Sequence, residues 1–110
     1  MNYLRLKKAK DITAVLKNGK RVYAETLILV YTPAKETAMA VCVGKKYGKS
    51  VQRNALKRLL REAFRASLPL TVPANILLMP KISESYSYAA FQRDIARILK
   101  KEKLVERAAS

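Results

Sequence analysis

The first run of apolar residues at helical spacing lies near the start of the chain. Within AKDITAVLKNG the apolar positions recur three to four residues apart, at Ile12, Val15 and Leu16. This spacing places them on one face of a helix, for which Asp11 is the expected N-cap and Gly19 lies just past the end. We therefore predict a short first helix, preceded by a basic arm over residues 1–9.

Strand-type residues dominate three later runs. VYAETLILVYT and AMAVCVG are rich in β-branched and other apolar residues and are separated by the turn PAKET. Because Pro33 breaks the first of these runs, we predict that the two pair as antiparallel strands across that turn. The apolar run NILLMP, closed by Pro80, predicts a short buried strand.

Two longer helices are predicted around and after that strand. The first spans Ser50 to Ala66, with Ser50 as its N-cap and Pro69 beyond its end. The second spans roughly residues 86–106 and separates apolar from basic positions. Its apolar stripe comprises Phe91, Ile95, Ile98 and Leu99, and its solvent side comprises Arg93, Arg97, Lys100 and Lys101.

The predicted elements follow the order helix, strand, strand, helix, strand, helix. A chain of 110 residues, half of them apolar, corresponds to one small domain with one modest core. Helices packed on a sheet of few strands would bury that core. The expected fold is α/β (α+β), a small two-layer sandwich that forms a single domain over residues 1–110.

The helix over residues 50–66 has two contrasting faces. At about 100° per residue, its apolar arc contains Ala55, Leu56, Leu59, Leu60, Ala63 and Phe64. The opposite arc contains Arg53, Asn54, Lys57, Arg58, Arg61 and Arg65. Like charges four residues apart repel one another along a helix, and an opposing phosphate chain would relieve that repulsion. The pattern therefore favours a surface that binds a polyanion.

Net charge points to the same class of partner. The formal charge is +15 and the pI about 10.3, and a surface that repels itself this strongly is typical of proteins that bind nucleic acid. A helix lying on an anionic membrane is the alternative. It is disfavoured because the apolar arc is needed for the core and no apolar run approaches the ~18 residues that span a bilayer. Since no signal peptide is evident, we expect a soluble cytoplasmic protein with no membrane partner.

Residue types that form catalytic centres are scarce. The chain has no His, and its eight acidic residues are scattered, so no carboxylate cluster is evident. The single cysteine, Cys42, lies in an apolar run and is expected to be a buried, inert thiol. The loop before the basic helix contains Gly44, Gly48 and three lysines, and it suits an anion but does not match the P-loop pattern. We therefore expect no catalytic residue and no metal site in the protein itself.

The run VGKKYGKSVQRNALKRLLREAFR strongly resembles the signature of the bacterial ribonuclease P protein component. RLKKAKDITAVLKNGKRV, LILVYT and NILLMPK resemble further parts of that family, so the likeness covers the whole chain. The family is the small basic subunit of a ribozyme that removes 5′ leaders from precursor tRNA. The resemblance implies that catalysis lies in the RNA, that Mg²⁺ is bound through the RNA, and that the isolated chain is inactive. It implies two partners, ribonuclease P RNA at one protein per RNA and precursor tRNA.

The resemblance also assigns site residues. The family's Arg-Asn-Arg motif and the basic residues after it fall on Arg53, Asn54, Lys57, Arg58 and Arg61. The expected RNA-binding residues also include three lysines of the preceding loop, Lys45, Lys46 and Lys49, and Arg65 at the end of the helix. The expected cleft for the single-stranded leader comprises Ile12, Leu16 and Tyr31.

The fold implied by the resemblance contains a left-handed βαβ crossover and is similar to the second domain of ribosomal protein S5. General topology rules alone favour the right-handed crossover. A ribosomal-type or chaperone-like RNA-binding protein of similar fold is the alternative function, because it would share the charge without needing a leader cleft.

The chain departs from the family pattern at four positions. Ala55 replaces the second Arg of the motif, which removes one phosphate contact, and Gly44 replaces a common Ser. Ile12 and Leu16 stand where the family has aromatic residues, so the first helix offers apolar contact without base stacking.

Overall fold

The computed structural model describes residues 4–68 and 70–105. Its strands are β1 (Leu4–Arg5), β2 (Lys20–Tyr23), β3 (Leu27–Pro33), β4 (Ala38–Val41) and β5 (Ala74–Pro80). Its helices are α1 (Ala9–Asn18), α2 (Ser50–Arg65) and α3 (Tyr88–Lys101), with one turn of 3₁₀ helix over Lys45–Tyr47.

The five strands form one sheet in the order β1-β4-β5-β3-β2. The β5 strand pairs antiparallel with β3 and parallel with β4. The predicted antiparallel pairing of the runs at 22–32 and 38–44 is therefore wrong, because β5 lies between them. The physical reason is burial: five of the seven residues of β5 are buried, so this strand is covered on both faces and occupies the centre of the sheet.

The expected fold class is confirmed. One five-stranded sheet and three α-helices make up the described part of the chain, and the parallel strands β4 and β5 are joined through α2 as a βαβ unit. The left hand of that crossover stays a prediction. Two strands were not predicted: the basic arm contributes β1, and the long run at 22–32 belongs to a hairpin of β2 and β3.

The sheet separates two apolar clusters. On one face, α2 and α3 pack over residues such as Leu29 and Ile76. On the other face, α1 packs over Val30 and Leu77. Because successive strand residues point to opposite faces, the even positions of β3 face α1 and the odd positions face the other two helices. This alternation decides which side chains can share a binding surface.

Helix starts differ by a few residues from the predicted ones. Lys8, not Asp11, occupies the N-cap of α1, and Asp11 lies in the first turn, where its charge suits the helix dipole. The N-cap of α2 is Lys49 instead of Ser50, because Gln52 Oε1 accepts the Lys49 backbone N–H at 2.8 Å and allows an earlier start. The predicted apolar stripe of α3 is confirmed, since Phe91, Ile95, Ile98 and Leu99 are all buried.

Candidate nucleic-acid interface

The basic helix α2 packs on the sheet through Leu56, Leu60, Ala63 and Phe64, all of them buried. Ala55, placed by the helical wheel at the edge of the apolar arc, is exposed. The buried arc is narrower than half the circle and centres on Leu60. Ala55 lies at its edge, where it lines a cavity with Leu56 and Leu59.

The basic residues of α2 form two rows. Arg53, Lys57 and Arg61, spaced four residues apart, are half-buried along the flank that faces the β1 and β4 edge of the sheet. The outer surface of the helix is fully exposed and carries Asn54, Arg58 and Arg65. The structure therefore brings all six predicted residues of α2 onto one continuous side.

A small cavity at this edge of the sheet contains two arginines. Its volume is about 140 Å³, and Arg5 from β1 and Arg61 from α2 both line it. The remaining lining residues are apolar: Leu6, Ile12, Met39, Ala40 and Val41. Since no carboxylate lines the cavity, an anion is the complementary occupant. Sequence reasoning placed Arg5 in the basic arm but did not assign it to the site.

Arg53 has an unsatisfied donor. Its Nε is buried and lacks a hydrogen-bond partner in the described part of the chain, while its Nη2 donates to Ser50 Oγ at 3.3 Å. A buried N–H without an acceptor costs about 1–3 kcal/mol.

The loop before α2 presents Lys45, Lys46 and Lys49 to solvent, as predicted. Tyr47 anchors the loop, since its hydroxyl donates to the Pro80 carbonyl at 2.7 Å, and burial raises the pKa of this hydroxyl so that the proton stays in place. Lys46 Nζ lies 5.5 Å from the centre of the Tyr47 ring. Gly48 has a φ of 117°, a conformation that favours glycine.

The predicted leader cleft is not assembled from its three residues. Ile12 and Leu16 pack on the α1 face of the sheet, whereas Tyr31 packs among the residues under α2 and α3. The Tyr31 hydroxyl donates to Glu102 at 2.7 Å, and burial, with Glu102 beside it, raises its pKa to about 12. The side chains of β3 alternate between the two faces of the sheet, and Val30 faces α1, so its neighbour Tyr31 faces the other two helices.

A row of half-buried and exposed apolar residues crosses the α1 face beyond the helix. Ile28 is paired with Tyr23 on one side and with Met79 on the other, and Cys42 lies next to Met79. Tyr23 is 65% exposed. Cys42 is half-buried rather than fully buried as predicted, and desolvation raises its pKa. Sequence reasoning missed this row; the alternation of β3 relative to α1 is the signal that identifies it.

Comparison with known proteins identifies the family. The family model named Ribonuclease P matches residues 1–103 of the chain. The chain belongs to the ribonuclease P protein family. The ribonuclease P protein component of Clostridium kluyveri is 35% identical over 107 residues, covering 92% of this chain and 96% of that protein. That of Caldanaerobacter subterraneus subsp. tengcongensis is 34% identical over 107 residues, covering 93% and 91%.

Solved structures show the same fold. The Staphylococcus aureus ribonuclease P protein superposes with a TM-score of 0.74 at 23% identity, covering 93% of this chain and 97% of that one. The Thermotoga maritima protein gives a TM-score of 0.73 at 23% identity, covering 92% and 97%. The chain is thus a protein component of ribonuclease P, the tRNA-processing endoribonuclease, and its partner is ribonuclease P RNA. This membership decides against the ribosomal-type and chaperone-like alternative.

No group of three or more potential metal-ligating side chains occurs among residues 4–68 and 70–105 of this ribonuclease P protein. Within the same ranges, none of the helices is long and apolar enough to cross a membrane.

Proposed function

We propose that this ribonuclease P protein binds the catalytic RNA through α2 and its preceding loop, and holds the single-stranded leader of precursor tRNA on the α1 face of the sheet. One protein binds one RNA in the cytoplasm, and the RNA carries the catalytic centre. The observation that carries the proposal is the acid-free cavity that Arg5 and Arg61 line together.

Electrostatics supports phosphate as the occupant of that cavity. Two guanidinium groups that share one cavity repel each other, and a phosphate between them replaces repulsion with charge-assisted hydrogen bonds. The row of Arg53 and Lys57 continues the positive surface along α2. A phosphate chain along α2 would therefore satisfy groups that the protein leaves uncompensated.

The α1 face suits unpaired nucleotides. Bases of a single strand bind proteins by stacking and apolar contact, and Tyr23 presents an exposed ring beside Ile28 and Met79. Ile12 reaches from α1 to the cavity of Arg61, so the apolar row and the phosphate site are connected around one edge of the sheet. A leader on this face would thus lie close to the catalytic RNA on α2.

Mg²⁺ enters the proposal only through RNA. Cations on α2 lower the repulsion between the phosphates of the catalytic RNA and those of the precursor. The two RNAs can then associate at a lower Mg²⁺ concentration, with the Mg²⁺ bound by the RNA. The protein then acts by binding and positioning its two RNA partners.

The test is cleavage of a precursor tRNA by a bacterial ribonuclease P RNA at low Mg²⁺, with and without the protein. We expect faster cleavage with correct 5′ ends only when the protein is present. The variant Arg61→Gln should lose most of that gain, whereas Lys35→Gln, on the exposed β3–β4 turn, should retain it. Tight RNA binding without any gain in cleavage would contradict the proposal.

A further inference from the structure

A second basic surface lies on the opposite flank of the helical layer. It consists of Arg97 and Lys101 of α3 with Lys20 of β2, and all three residues are exposed. We call it the α3 basic surface. The RNA-binding row of α2 faces the β1 and β4 edge, whereas β2 forms the other edge of the sheet.

Side-chain contacts establish how α3 is oriented. Gln92, Ala96 and Lys100 line the cavity between α3 and the end of α2, so this side of α3 faces α2. Arg97 and Lys101 lie about 100–140° further around the helix, on the side away from α2. Lys20 of β2 reaches the end of α3, where its Nζ pairs with Glu102 at 2.7 Å.

The acidic residues near this surface already have partners inside the protein. The Asp94 carboxylate is 1% exposed and accepts hydrogen bonds from Thr26. The Glu102 side chain is 5% exposed and is held by Lys20 and by the Tyr31 hydroxyl. Glu25 pairs with Arg93 at 2.9 Å. Within the described residues no salt bridge involves Arg97 or Lys101, whereas Lys20 is already paired with Glu102.

Helix polarity accounts for only part of this pattern. Basic residues in the last turn stabilise the helix dipole, which covers Lys100 and Lys101. Arg97 lies before that turn, and no exposed position of α3 carries an acid to balance it. An ordinary solvated surface mixes both signs of charge, so this arrangement favours an external anion.

We propose that the α3 basic surface binds the phosphate backbone of a second RNA segment, separate from the segment on α2. The inference rests on the proposed function and extends it, because the protein then bridges two RNA segments across its two flanks. The second segment belongs either to the catalytic RNA or to the precursor tRNA, since both offer the same phosphates.

The test compares two double variants that each remove two positive charges. Arg97→Gln/Lys101→Gln alters the α3 basic surface, and Lys35→Gln/Lys81→Gln is the control, with both lysines exposed elsewhere. Binding is measured across a salt series, first to ribonuclease P RNA alone and then of precursor tRNA to the assembled holoenzyme. Thermal unfolding of both variants verifies that each is folded.

Relative to the control, we expect the slope of log K against log salt to be smaller by about two for the first variant. Near 0.1 M salt, its affinity for RNA should be at least roughly tenfold lower. A change confined to the first assay assigns the surface to the catalytic RNA, and a change confined to the second assigns it to the precursor. Equal slopes for both variants in both assays would overturn the inference. Failure of the unaltered protein to bind ribonuclease P RNA would instead overturn the proposed function.

Discussion

At the scale of single residues, Asp94 shows how a buried charge is retained. Its carboxylate accepts the Thr26 N–H at 2.9 Å, the Thr26 hydroxyl at 2.7 Å and Arg93 Nε at 3.2 Å. Burial alone would raise its pKa, but these hydrogen bonds outweigh burial and hold the pKa below its ordinary value. The carboxylate thereby ties the start of β3 to α3.

Replacement of Asp94 by Asn should therefore lower the free energy of unfolding at pH 7 by about 2–4 kcal/mol. Since the folded-state pKa is lowered, the contribution of the charge is complete above the ordinary pKa and is lost as pH falls through the folded value. Urea unfolding at neutral pH and below pH 4 measures both effects. Glu84→Gln, at an exposed position, is the control, and a penalty that does not shrink in acid would contradict the assignment.

Atoms around Gly19 leave no room for a side chain. A Cβ there would lie 2.5 Å from the Val15 carbonyl oxygen and 2.8 Å from Val30 Cγ1. Gly19→Ala should therefore destabilise the protein by about 1–3 kcal/mol, because the end of α1 would have to move off the sheet. At Gly44 a Cβ would meet nothing within 4 Å, so Gly44→Ala should be neutral. Thermal unfolding of the pair distinguishes them, and equal midpoints would contradict the close approach.

At the scale of elements, the two faces of β3 have different roles. Tyr31 ties the strand to Glu102 at the end of α3, and Lys20 joins the same carboxylate from β2. Ile28, two strand positions from Val30, opens onto the α1 face with Tyr23 beside it. Structural stabilisation and the proposed leader contact thus use opposite sides of the same strand.

We therefore expect Tyr31→Phe and Tyr23→Ala to affect different properties. Tyr31→Phe should cost about 1 kcal/mol of stability, through loss of one hydrogen bond, and leave the preference for precursor over mature tRNA unchanged. Tyr23→Ala should leave stability almost unchanged and weaken precursor binding by about 1–3 kcal/mol, the usual cost of one lost stacking contact. Binding of both tRNA forms to the holoenzyme measures this, and equal weakening for the two forms would exclude a leader contact at Tyr23.

At the scale of the whole molecule, charge opposes compactness. A net charge of +15 on a domain with a radius of gyration of 13.2 Å implies strong self-repulsion. An anion that binds only the folded state stabilises it by mass action. In a domain of this size, each 1 kcal/mol of stabilisation raises the unfolding temperature by about 4–8 °C.

Low millimolar pyrophosphate should therefore raise the unfolding temperature by several degrees at constant ionic strength. The double variant Arg5→Gln/Arg61→Gln should lose most of that increase, because the cavity between β1 and α2 would no longer hold an anion. Lys35→Gln/Lys81→Gln removes the same charge and should keep it. An equal increase for all three proteins would show that the anion acts on overall charge and not at this cavity.

Local periodicity was sufficient to predict much of the molecule. Helical spacing identified α1, α2 and α3, and the residues of the α3 stripe, because one apolar face must be buried whatever lies opposite it. The basic residues of α2 were predicted for the same reason, since charge remains outside the core. The family signature within residues 43–65 indicated ribonuclease P RNA as the partner.

Long-range arrangement required the tertiary structure. Spacing along β3 shows that Val30 and Tyr31 face opposite ways, but only the position of α1 decides which of them lies on the α1 face of the sheet. The insertion of β5 between β3 and β4, and the meeting of Arg5 with Arg61, join residues far apart in the chain. The sequence by itself determined the helices, the charge and the family, because these depend on local spacing and composition. Only the tertiary structure decided strand order, the sides of the sheet and the pairing of cations, because those depend on contacts that no local pattern encodes.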